Sequence, residues 1–84
     1  MTMREIDEQE VAAWAVRLSG VWVVLRRGSP RRKLRLELAT PDESKARDRY
    51  ERIVGAMRQG SAVLVDPQSK ISAYRSEPMV RTRW

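Results

Sequence analysis

Histidine and cysteine are both absent from this chain of 84 residues. Without them the sequence has no imidazole general base, no thiolate nucleophile and neither of the usual zinc ligands. The four glycines are dispersed, so no glycine-rich phosphate-binding loop is formed. The carboxylates lie mainly at the starts of predicted helices, where they complement the helix dipole. We therefore expect a protein that is not an enzyme and has no cofactor and no metal site.

Aromatic residues and long apolar runs are also scarce. Phenylalanine is absent and there are three Trp and two Tyr, so a packed interior has to be built from aliphatic side chains. No run approaches the roughly 18 apolar residues that span a membrane, and the N-terminus lacks the apolar segment of a signal peptide. We expect a soluble, cytoplasmic protein that does not associate with membranes.

The chain length favours a single domain over residues 1–84 with a small core. Residues 76–84 are interpreted as a tail that is either flexible or docked on the domain. A core of this size contributes only about 3–5 kcal/mol of net stability, and self-association would add to it. A homodimer is therefore one expected state of the protein.

Positive charge is concentrated in one short segment. The formal net charge is +6, and residues 26–35 hold six of the 17 basic residues without any acidic one. The remaining 11 basic residues are balanced by the 11 acidic residues of the chain. The excess charge is therefore local, which favours a polyanionic partner over a general role in solubility.

Two helices are predicted from capping signals and apolar spacing. Asp7 followed by Glu10 forms a capping box for a helix over 7–19, which Gly20 ends. The run Thr40-Pro41-Asp42-Glu43 predicts a second helix over 41–59 with Thr40 as its N-cap and Pro41 as its first residue, and Gly60 ends it.

Four strands complete the predicted fold. Residues 21–25 are apolar at every position, which is typical of a central strand covered on both faces. Residues 33–38 alternate, with three leucines on one face, and form a hairpin with the first strand. Residues 62–65 and 70–74 form a second hairpin. The pattern predicts an α+β domain in the order α-β-β-α-β-β, with an antiparallel sheet and both helices packed on one face.

The tip of the first hairpin is the candidate functional site. Its cations suit the neutralisation of nucleic-acid phosphates, DNA more than RNA. The segment Ser29-Pro30-Arg31-Arg32 resembles the Ser-Pro-basic-basic motif of histone-type tails, which implies contact with A·T-rich minor grooves. The predicted phosphate contacts are Arg26, Arg27, Arg31, Arg32, Lys33 and Arg35.

Two alternatives give the basic hairpin a role other than that of an independent nucleic-acid-binding module. In one, the chain is a compact adaptor or inhibitor of the kind carried by phages and other mobile elements, and it binds an acidic surface on a host protein. In the other, it is a subunit of a larger assembly, in which the cations face nucleic acid or neighbouring subunits. A partner or dimer surface would then be formed by Trp22 and Val24, on one face of the first strand, together with Trp84.

Overall fold

A computed structural model of the protein describes residues 8–29 and 32–77 and contains two helices and four strands in the expected order. The elements are α1 (Glu8–Arg17), β1 (Trp22–Arg27), β2 (Arg35–Thr40), α2 (Glu43–Ala56), β3 (Gly60–Val65) and β4 (Ile71–Glu77). The strands form one antiparallel sheet in the order β2-β1-β3-β4. The α+β class and the α-β-β-α-β-β order are confirmed.

The two central strands are the most apolar ones. In β1, Val23, Val24 and Leu25 are buried, and every residue of β3 is buried. Strands with apolar side chains at consecutive positions need cover on both faces of the sheet, and central strands receive it. This explains why β1 and β3 pair with each other in the middle and leave β2 and β4 at the edges.

The helices lie on opposite faces of the sheet. One core cluster joins α1 to the odd-numbered residues of the central strands: Val11, Ala15, Val23, Leu25, Leu34, Val63 and Val65. The other joins α2 to the even-numbered residues: Val24, Ala46, Ile53, Ala62 and Leu64. The expectation of both helices on one face is wrong in this respect, because strands that are apolar on both faces bury the most surface when each face has its own helix.

The second helix, Glu43–Ala56, is shorter at both ends than the predicted helix over 41–59. Asp42, and not Thr40, is the N-cap, since its carboxylate accepts the backbone N–H groups of Ser44 and Lys45. The chain leaves the helix after Ala56, where Met57 is already extended. Gly60 is consequently the first residue of β3 and does not cap the helix.

The first helix ends at Arg17, two residues before the predicted end, and Gly20 follows it as expected. α1 is followed by a turn in which Gly20 has a φ of 88°, and the Gly20 N–H donates to the carbonyl of Pro67 at 3.1 Å. The predicted N-cap, Asp7, lies outside the described residues. The glycine thus both ends the helix and ties its end to the β3–β4 turn.

A β-bulge in β2 separates the three leucines that were expected on one face. Val24 pairs with Leu38 and Leu25 pairs with Leu36, so Glu37 is an extra residue opposite this step. Leu38 packs on the α2 side, whereas Leu34 is buried on the α1 side. The expectation of a strict alternation is wrong beyond Leu36, because an inserted residue shifts all following side chains to the other face.

Candidate functional site

The predicted basic segment occupies one end of the sheet. Arg26 pairs with Arg35, and Arg27 pairs with Ser61. The last pair of this end joins Gly60 to Glu77. We call this the hairpin end of the sheet, because the connection from β1 to β2 leaves from it.

Two of the predicted cations face each other directly across the hairpin. Arg26 and Arg35 are cross-strand partners on the α2 side of the sheet, and both are exposed. Together with Gly28 and Glu37 they line a pocket of about 240 Å³. Like charges at directly opposed positions repel each other, so this pair does not stabilise the hairpin by itself.

The connection between β1 and β2 is anchored to α1. Leu34 is buried in the α1-side core, and its backbone N–H donates to the Glu10 carboxylate at 2.8 Å. At the tip, the Arg32 N–H donates to the Ser29 carbonyl at 3.0 Å, which closes a turn. Arg32 and Lys33 are exposed beside this anchor. Arg31 lies outside the described residues.

The cations of the hairpin and those of α2 differ in how they are neutralised. Along α2, Arg47 pairs with Glu43 at 2.7 Å and Arg52 pairs with Asp48 at 3.1 Å. Within the described part of the chain, no carboxylate forms an ion pair with any of three hairpin cations: Arg32, Lys33 and Arg35. These three hairpin cations therefore lack the ion pairs that offset the charge of Arg47 and Arg52 on α2.

The bulge residue Glu37 connects the hairpin to α2. Its carboxylate lies 3.9 Å from an Arg26 nitrogen and 3.7 Å from an Arg49 nitrogen, and its carbonyl accepts from Arg49 Nη1 at 3.2 Å. Arg49 thus joins the basic surface beside Arg26. It was not among the predicted contacts, because no local spacing relates a helix residue to a bulge 12 positions earlier.

Arg27 is placed differently from its neighbours. It shares the α1 side of the sheet with Leu25, exposes 8% of its surface, and its Nε has no hydrogen-bond partner among the described residues. The prediction that Arg27 contacts a phosphate stays a prediction, but Arg27 does not lie on the exposed surface with Arg26 and Arg35. The reason is the twofold alternation of a strand, which directs Arg26 and Arg27 to opposite faces.

The proposed partner surface on β1 is inside the protein. Val24 is fully buried, and Trp22 is half-buried against the α2-side core. The guanidinium of Arg47 lies 5.4 Å from the centre of the Trp22 ring. The expectation of an exposed patch at Trp22 and Val24 is wrong, because α2 covers that face. Trp84 lies outside the described residues.

In the described ranges 8–29 and 32–77, no helix is long and apolar enough to cross a membrane. The same ranges contain no group of three carboxylate, cysteine or histidine side chains placed to hold a metal ion. Comparison with protein-family models, with curated proteins and with solved structures finds no match to this chain.

Proposed function

We propose that the protein is a small, non-enzymatic nucleic-acid-binding module that contacts phosphates, preferably those of DNA, through the hairpin end of the sheet. The observation that carries this proposal is the set of exposed hairpin cations that lack acidic partners in the described chain: Arg32, Lys33 and Arg35. On α2, by contrast, Arg47 and Arg52 each form an ion pair with a carboxylate one helical turn away.

The opposed pair of Arg26 and Arg35 supports the same proposal. Two guanidinium groups at directly opposed positions destabilise a hairpin unless an anion lies between or beside them. Glu37 offsets one of them, at the long distance of 3.9 Å from Arg26. A phosphate in the pocket between Arg26 and Arg35 would offset both charges and release the counterions that surround them in the free state.

The support beneath the cations favours binding over a merely solvated loop. The buried side chain of Leu34 and its hydrogen bond to Glu10 hold one side of the tip against α1. Cations on an anchored hairpin lose less conformational freedom on binding than cations on a free tail. Because phosphates carry no sequence information, we expect affinity that is mainly electrostatic with little base readout.

The test is a fluorescence titration of duplex and single-stranded oligonucleotides at several salt concentrations. Four phosphate contacts, from Arg26, Arg32, Lys33 and Arg35, give a slope of log affinity against log salt of about −4 on duplex DNA, at about −0.9 per contact. Replacing Arg32, Lys33 and Arg35 with Ala should flatten the slope by about three units and weaken binding to all sequences alike.

The matched control removes the same charge from α2 and its end. A variant with Ala at Lys45, Arg52 and Arg58 has the same net charge as the hairpin variant, and all three side chains are exposed. It should keep most of the slope. Equal losses in the two variants would show that only net charge matters, and absence of binding at low salt would refute the proposal. An acidic protein surface would then be the partner to test on the same hairpin.

A further inference from the structure

A row of polar side chains crosses the α1 side of the sheet at the hairpin end. Arg27 lies opposite Ser61, and Ser61 lies opposite Ser76, on three neighbouring strands. Directly opposed residues have Cβ atoms about 5 Å apart, so the three side chains form one contiguous group. Leu25 and Val63 form the next cross-strand pair on the same face and are fully buried, so the polar group borders the apolar core.

The row presents hydrogen-bond donors that are not all used. Arg27 exposes 8% of its surface, and its buried Nε–H has no acceptor among the described residues. The hydroxyls of Ser61 and Ser76 are 2.9 Å apart, so one of them donates to the other. The accepting hydroxyl still has its own proton to donate. A buried guanidinium with an unsatisfied donor is costly, and an oxyanion would satisfy it.

The backbone at Arg27 is held in place from the neighbouring strand. Gly60, which precedes Ser61, has a φ of 96°, and a Cβ at this position would lie 2.0 Å from the Arg27 carbonyl oxygen. The close approach of these two backbones leaves little room for Arg27 to shift. The backbone that carries the Arg27 side chain is therefore fixed, which lowers part of the entropic cost of binding a ligand.

We infer that Arg27, Ser61 and Ser76 form a binding site for a single phosphate group. A guanidinium donates in its plane while the hydroxyls approach from the adjacent strands, and a tetrahedral oxyanion accepts from several directions at once. This site goes beyond the proposed function, because it lies on the opposite face from Arg26 and Arg35. Its occupant is either free phosphate or a phosphate of a bound nucleic acid.

The experiment is a titration of the full chain with inorganic phosphate at constant ionic strength, followed by NMR at the side-chain Nε–H of Arg27. We expect this resonance to shift in a saturable manner, together with the backbone amides of Ser61 and Ser76. Chloride in place of phosphate should produce no such shift. A linear, unsaturable response, or no response at Arg27, would overturn the inference.

Two variants test whether the bound phosphate contacts the Arg27 side chain. Arg27→Met keeps an apolar stem of similar length and should weaken phosphate affinity at least about tenfold, the effect of one lost hydrogen bond to a charged group. Arg52→Met removes the same charge from the exposed side of α2, which belongs to neither proposed site, and should leave phosphate affinity within about twofold. Equal losses in both variants would contradict the site. If circular dichroism shows that Arg27→Met is unfolded, Ser61→Ala is measured instead and should also weaken phosphate affinity.

A second titration distinguishes the two sources of phosphate. If a short duplex shifts the Arg27 Nε–H as inorganic phosphate does, the site takes a phosphate of the nucleic acid. If inorganic phosphate alone binds there, the site takes a free phosphate group. Either result supports the inference. The proposed function is judged separately by the salt slope of the hairpin variant, so the failure of one proposal leaves the other standing.

Discussion

Substitution of three glycines by Ala should have three different effects on stability. Gly55 lies in α2, where an added Cβ would meet nothing within 4 Å. Gly20 also has open space around it, but its φ is 88°. Gly60 combines a φ of 96° with a Cβ position 2.0 Å from the Arg27 carbonyl oxygen and 2.9 Å from the Gly28 carbonyl carbon. The series therefore separates helix propensity, backbone strain and steric overlap.

The magnitudes follow from these environments. Gly55→Ala should stabilise the protein by about 0.5 kcal/mol, because Ala loses less backbone entropy in a helix. Gly20→Ala should cost about 1 kcal/mol for the left-handed backbone alone. Gly60→Ala adds an overlap with backbone atoms that cannot rotate away, so its cost should be about 3 kcal/mol. In a domain of this size that corresponds to a drop in Tm on the order of 15 °C.

The assay is urea denaturation followed by circular dichroism, with thermal unfolding as a second measurement. The order of stability should be Gly55→Ala above the unchanged protein, then Gly20→Ala, then Gly60→Ala. A Gly60→Ala variant that is no less stable than Gly20→Ala would refute the reasoning, because it would mean that β1 and β3 do not approach each other as closely as the structure has them.

Two further predictions concern α2. Asp42→Ala should cost about 1 kcal/mol of unfolding free energy, since its carboxylate caps the helix, and Thr40→Ala should cost less. A larger cost for Thr40→Ala in urea denaturation would contradict this assignment of the N-cap. Burial raises the pKa of the Tyr50 phenol above its ordinary value of 10.0. Because the folded state favours the neutral phenol, this group's contribution to the free energy of unfolding is fully present below pH 10.0. It is lost as the pH rises through the higher pKa of the folded state. Tyr50→Phe should reduce this alkaline loss of unfolding free energy, and an unchanged pH profile would count against it.

Local patterns in the sequence were sufficient for the number, type and order of the elements. Capping residues and apolar spacing indicated both helices to within a few residues, and the consecutive apolar residues of β1 indicated a central strand covered on both faces. The cluster of cations between β1 and β2 could also be identified from the sequence, because both the charges and the turn residues between the strands lie close together in the chain. These features depend on interactions over a few positions, which a sequence displays directly.

The tertiary structure decided which faces these residues occupy. The bulge at Glu37 moved Leu38 to the other face of the sheet, and α2 covered Trp22, which spacing alone left open. Arg26 and Arg27 were adjacent members of one predicted cluster, yet one is exposed and the other is buried beside Ser61. Strand pairing and helix placement are set by contacts between residues far apart in the chain, and burying both faces of β1 and β3 required a helix on each side. Strand alternation placed the neighbouring cations Arg26 and Arg27 on these two different faces.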